Sequence, residues 1–146
     1  MSASNSFETD LLKLIYNNTT LANIGDATGL VGSTAAGSLY VGLHTADPGE
    51  TGDQSTSEAT YTGYARVAVA RTTGGWTVSG NSVSNTGATT FGLCTAGSST
   101  VTHFSVGTGS SGAGYRLFSG ALTASLAVSA GITPSAAAGA ITNTVD

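Results

Sequence analysis

Residues 39–71 read LYVGLHTADPGETGDQSTSEATYTGYARVAVAR. Leu39, Val41 and Leu43 alternate with Tyr40, Gly42 and His44, and Ala65, Val67 and Val69 alternate with Tyr64, Arg66 and Ala68. A period of two marks half-buried antiparallel strands, so the stretch reads as two strands joined by an acidic, turn-rich loop. Within that loop Asp47-Pro48-Gly49 is turn chemistry: proline presets φ and glycine permits positive φ. Arg66 and Arg71 lie five residues apart on the second strand, which sends them to opposite faces.

Upstream, the pattern changes from two to 3.6. Phe7, Leu11, Leu14 and Ile15 fall at i, i+4, i+7 and i+8, which predicts a helix over 5–17 with that stripe buried. Asn5 or Ser6 supplies the cap, with Glu8 three residues after Asn5, and Asn17-Asn18-Thr19-Thr20 ends it. The two overlapping sequons there signify only a helix end. Residues 21–37 read as a surface connection with one short helical turn near Leu21 to Ile24. Downstream, turns at Thr72–Gly75, Gly80-Asn81 and Thr86-Gly87 separate strands at Trp76–Val78, Ser82–Asn85 and up to Phe91. Further strands are expected at Val101–Val106, Tyr115–Ala121, Leu126–Val128 and Ala140–Val145. Eight or nine short strands at this spacing give an all-β fold, a jelly-roll-like antiparallel β-sandwich with one N-terminal helix. A single domain covers 1–146, with the helix at 5–17 and the sandwich at 38–146.

Composition narrows the function. Charged residues are 8% of the chain, net charge is −4, hydrophobic residues are 40% and glycine numbers 21. A globular chain usually carries about a quarter charged residues, so this surface must be neutral and hydroxyl-rich. Lys13 and three arginines form no basic cluster, which argues against nucleic acid as a partner. No apolar run reaches the roughly 20 residues of a membrane span. MSASNSFETD lacks the basic and apolar regions of a signal peptide, which implies use without secretion. A lone Cys94 excludes an intrachain disulfide and reads as a small buried thiol. Neutral surfaces have weak colloidal protection and suit molecules covered by partners.

The motifs are structural rather than chemical. Gly107-Thr108-Gly109-Ser110-Ser111-Gly112 spells GxGxxG, but a strand rather than a helix follows, so it reads as a hairpin loop. Asp47, Gly52 and Glu58 match positions 1, 6 and 12 of a calcium loop, yet Gly49 and Thr51, at positions 3 and 5, supply no carboxylate or amide side chain. His44 and His103 form no HxH or HxxxH pair, and no GxSxG elbow is present. No catalytic residue, metal ligand or cofactor is assigned. The candidate contacts are to protein. Asp47, Glu50, Asp53 and Glu58 offer carboxylates to a basic patch on a partner. Tyr40, His44, Tyr64 and Arg66 make a face of the kind common in interfaces. Phe7 and Leu11 belong to a terminal helix that either covers the sheet or docks on a neighbouring subunit.

LYVGLHTADPGE followed by ATYTGYARVAVAR, then VTHFSVGTGSSGAGYRLFSGAL and AGAITNTVD, resembles a family of small virion proteins of tailed bacteriophages. Members are often labelled tail-fibre proteins, and some closely similar ones are capsid cement, or decoration, proteins. The resemblance implies a jelly-roll homodimer on the outside of the head, clamping adjacent major capsid proteins, made in the host cytoplasm and without enzymatic activity. It implies a tail or fibre-associated structural protein as the alternative. A carbohydrate-binding sandwich, with Tyr61, Tyr64 and Trp76 near Asp53 and Glu58, is a third reading.

Overall fold

A computed structural model of the chain describes residues 2–146. Its one α-helix and nine strands are α1 (Asn5–Asn17), β1 (Ser38–His44), β2 (Val67–Ala70), β3 (Trp76–Ser79), β4 (Ser82–Asn85), β5 (Thr89–Thr90), β6 (Ser98–Gly107), β7 (Arg116–Ser129), β8 (Ser135–Ala136) and β9 (Thr142–Thr144). The fold is all-β with antiparallel sheets and one N-terminal helix, as the alternation predicts. The residues group into two compact units, Met1–Ser38, Val69–Ala88 and Ala137–Asp146 in one, Leu39–Ala68 and Thr89–Ala136 in the other.

The first unit sets α1 on a three-stranded sheet ordered β3-β4-β9. The helix spans the predicted residues, but its geometry differs from the prediction in two ways. Ser4 is the N-cap, accepting from the Phe7 amide at 3.4 Å, so the Asn5–Glu8 box does not form. The buried residues are Glu8, Leu12 and Tyr16, while Phe7 is 41% exposed and Leu11 is half-buried. Tyr16 decides the rotation: its ring meets buried Trp76 edge-on at 4.8 Å, and its hydroxyl accepts from Asn143 at 2.7 Å. Burial raises the Tyr16 hydroxyl well above its usual range, which keeps it neutral. Asn18 closes the helix in the left-handed conformation. Arg71 then donates to the Leu14 and Ile15 carbonyls at 2.8 and 2.6 Å and to Ala36 at 3.2 Å. Those helix carbonyls have no partner inside the helix, so a guanidinium there answers both the hydrogen-bond need and the dipole.

The connection 21–37 contains no helical turn at Leu21–Ile24. Leu21 and Leu30 instead exchange backbone hydrogen bonds at 3.0 and 2.9 Å, closing a loop whose turn is set by Asp26 accepting from Thr28 and Gly29. Asn18 pins the far end by bonds to both the amide and the carbonyl of Ser33. Side-chain hydrogen bonds of short polar residues compete with helix, and here they win.

The second unit is built on a sheet ordered β2-β1-β6-β7, which β2 enters through Val67 and Ala68, and a two-stranded ladder β5-β8. From Val41 to His44 every residue of β1 is buried, so the half-buried pattern expected for this strand applies only as far as Tyr40. It is a central strand, covered on both sides. The β6-β7 pair is the hairpin expected around the GxGxxG segment, with the Gly107–Arg116 pairing at its mouth. β7 unites the two strands expected at 115–121 and 126–128. It does so with an irregularity: Val101 pairs with Leu126 and His103 with Ala121, leaving Leu122–Ser125 bulged opposite Thr102.

Candidate interaction surface and the polar network behind it

Gly42 organises the interior of the second unit. A Cβ at this position would lie 3.1 Å from Ser105 Oγ, 3.4 Å from the Tyr64 hydroxyl and 3.5 Å from His44 Nε2. The missing side chain leaves room for three polar groups in mid-strand. His44 and Ser105 are diagonal neighbours in the β1-β6 register, since Gly42 faces Ser105 and His44 faces His103. His44 Nδ1 lies 2.8 Å from the Thr56 carbonyl, an acceptor, so this nitrogen carries the proton and Nε2 accepts from Ser105 Oγ at 2.7 Å. Burial lowers the His44 pKa from its usual value.

Tyr64 continues the network. Its hydroxyl accepts from the Leu43 amide at 3.0 Å and donates to Glu58 Oε1 at 2.9 Å. Burial, first, and the Glu58 carboxylate raise its pKa far above the ordinary tyrosine range. Arg66 grips both oxygens of Glu58, Nε to Oε1 at 2.6 Å and Nη2 to Oε2 at 2.8 Å. Its remaining donors reach the carbonyls of Gly109 at 2.8 Å and Gly112 at 2.6 Å. A bidentate pair with additional carbonyl acceptors is the arrangement that makes a buried guanidinium tolerable.

The loop 45–58 and the hairpin loop 108–115 are thereby clasped together. Gln54, fully buried, accepts from the Gly109 amide at 2.8 Å and donates its own backbone amide to Ala113 at 2.8 Å. Arg116 donates to the carbonyls of Gly49 and Gly52. Outward, this paired-loop platform shows Asp47, Glu50, hydroxyl groups, and Tyr115, which is 70% exposed. Asp47 accepts from the Gly49 amide at 2.9 Å, and Asp53 accepts from Ser55, whose hydroxyl bond lowers the Asp53 pKa. Those carboxylates serve as turn locks, the role read from Asp-Pro-Gly. Among the described residues no group of three or more His, Cys, Asp or Glu is placed to hold a metal.

The residues named as contacts therefore separate. Asp47 and Glu50 lie on the exposed rim, Phe7 is exposed, and Tyr40, Leu11, Asp53 and Glu58 are half-buried. His44 and Arg66 are buried at 0% and 8% exposure, and Tyr64 turns its hydroxyl inward. Glu58 draws the polar ends of Tyr64 and Arg66 into the unit, so the guanidinium and the hydroxyl of that face are engaged internally in this conformation. Tyr61 and Trp76, the aromatics behind the sugar-binding reading, are also buried, at 3% and 0%. Sequence reasoning missed Gly42, Gln54, Ser105 and Arg116. Only Gly42 carried a signal, a glycine interrupting an otherwise regular strand. Cys94 is the buried thiol expected.

No helix among the described residues is long and apolar enough to cross a membrane. A search of the curated proteins finds no match. The model of one protein family, described as Podophage GP4 fiber I protein gp80, matches residues 2–144. With nearly the whole chain aligned to it, the chain belongs to this family of phage virion structural proteins.

Proposed function

We propose that the protein is a non-catalytic cement protein that binds the outside of the phage head and clamps adjacent major capsid proteins. The observation that carries this reading is the direction of its charges. All three arginines are engaged with carbonyls or a carboxylate of the same chain, leaving a sparsely charged, mildly acidic and hydroxyl-rich exterior with scattered apolar side chains such as Val31, Leu93 and Tyr115. An exterior of this kind favours broad protein contact over steering of charged ligands. A protein that binds only an assembled lattice stabilises it by mass action, through many weak repeated contacts. The absence of catalysis is supported by the histidine-serine pair, which is sealed from solvent where a nucleophile would need access. Self-association as a homodimer is part of the same proposal.

A fibre-associated position is the second reading, favoured by the family description, which names a fiber I protein. Density for the particle separates the two. Hundreds of copies on the capsid surface support cement; a few copies at the tail sink it in favour of the fibre. Stripped heads that resist heat as well as decorated ones would also sink the cement reading.

A further inference from the structure

The outer edge of β7 is the longest strand edge among the described residues, and beyond Arg116 neither charge nor proline guards it. Natural sheets protect an open edge with short strands, charges or proline, because unpaired backbone groups invite another strand. The opposite edge of the same sheet, β2, has 4 residues and is flanked by Arg66 and Arg71. In the other unit the edge strands β3 and β9 have 4 and 3 residues. β7 has 14 residues, and from Leu117 to Ser129 it carries no charge and no proline. Ala121 and Thr123–Ala127 are exposed. Two irregularities interrupt it, one at Leu117 beside its start and one at Leu122–Ser125, and the second is placed symmetrically between two arms. Leu122–Ser125 separates one regular arm ending at Ala121 from a second beginning at Leu126.

We infer that β7 pairs antiparallel with β7 of a second copy, about a two-fold axis passing through the bulge between Thr123 and Ala124. This rests on the homodimer in the proposed function and names the surface that makes it. The axis sets Ser119–Ala121 of one copy against Leu126–Val128 of the other, twice over, with the two bulges facing each other. Two four-stranded sheets become one. An isologous contact of this sort closes on itself, so each edge is used once and growth stops at two. The absence of charge matters, because a two-fold brings each side chain close to its own kind, and like charges opposed across strands destabilise pairing. Small residues at Ser119, Gly120, Ala121 and Ala127 let the backbones approach, and strand addition takes its affinity from main-chain hydrogen bonds.

In this register Ala121 faces Leu126 of the other copy. A variant carrying Ala121→Lys with Leu126→Lys opposes its own charges, as does one carrying Ala121→Glu with Leu126→Glu. Light scattering after gel filtration should show the unaltered protein as a dimer. Each double variant should lose at least about tenfold in self-affinity, and mixing the two variants should restore a heterodimer. Dimers that persist unchanged in both variants would overturn the edge pairing while leaving the homodimer standing. Monomers of the unaltered protein at every concentration would overturn both. Separate variants that fail to recombine would overturn the antiparallel register. Should the variants misfold, amide hydrogen exchange on the unaltered protein decides. Amides within Ser119–Val128 should gain protection as concentration rises, and concentration-independent exchange there would overturn the pairing.

Discussion

Glu58 holds both the Tyr64 hydroxyl and the Arg66 guanidinium, so its replacement tests the network directly. Glu58→Gln keeps the shape and leaves Arg66 buried with two carbonyls and no counter-charge. Removing one partner of a buried pair should cost about 3 kcal/mol, read as a lower urea midpoint; a change under about 0.5 kcal/mol would mean the pair is solvated. His44 gives a pH signature. Its folded pKa lies below the ordinary 6.5, so the unfolded chain takes up the proton at higher pH. Stability is therefore fully present above 6.5 and declines as pH falls through the window below it, levelling off once the folded pKa is passed. Melting temperatures recorded from ~pH 8 to ~pH 5 should show this decline in the native chain and lack it in His44→Gln. Gly42→Ala should destabilise by filling the space that Ser105, Tyr64 and His44 share. At this scale the sequence was least readable. Alternation located His44 on β1, while Arg66 and Arg71, expected on the second strand, fall just outside β2, and nothing in the alternation says that residues 105 and 42 will be neighbours. Such proximity comes from strand order, which is a property of the whole sheet.

At the scale of elements, most of the chain was legible. Helix limits and turns follow from local chemistry, because caps and glycine-containing turns act within a few residues; the count of nine strands agrees only because β7 unites two expected strands and β8 was not expected. The face of α1 did not follow. Four apolar residues make a stripe, yet Glu8, Leu12 and Tyr16 are the buried ones, because the tyrosine ring fits Trp76 and its hydroxyl finds Asn143. Leu12→Ala should consequently cost about 3 kcal/mol through the cavity it leaves. Phe7→Ala should cost well under half as much in the same denaturation experiment. Equal losses would mean that Phe7 is packed against something in solution.

For the whole molecule, composition was the informative level. A chain with 8% charged residues has few lysines and carboxylates with which to solvate itself, so the proposed assembly would add to its solubility. Copy number in the particle and dimer stability are linked measurements in this view. Under the proposed pairing, isolated protein diluted until the dimer dissociates should become more prone to aggregate, not less, as newly opened β7 edges meet in improper registers. Turbidity rising on dilution into warm buffer would show it; dilution that only clarifies would refute it. Fold class was readable from the pattern of strands and turns, and the family from the resemblance of the segments around residues 39–71 and 101–122, whereas the exposure of each face required the folded chain.

The arginine clasps also govern how the chain meets proteases. Enzymes that cut after basic residues must draw the side chain into a specificity pocket and straighten the backbone on either side of it. This protein offers four such positions. Arg66 is buried in its carboxylate grip, Arg71 is tied to the helix end, Arg116 is tied to loop carbonyls, and Lys13 lies within α1. Each cut therefore requires local unfolding first. The bonds that join loops and cap a helix thereby double as protection, and they suit a protein that must last in surroundings where it cannot be replaced.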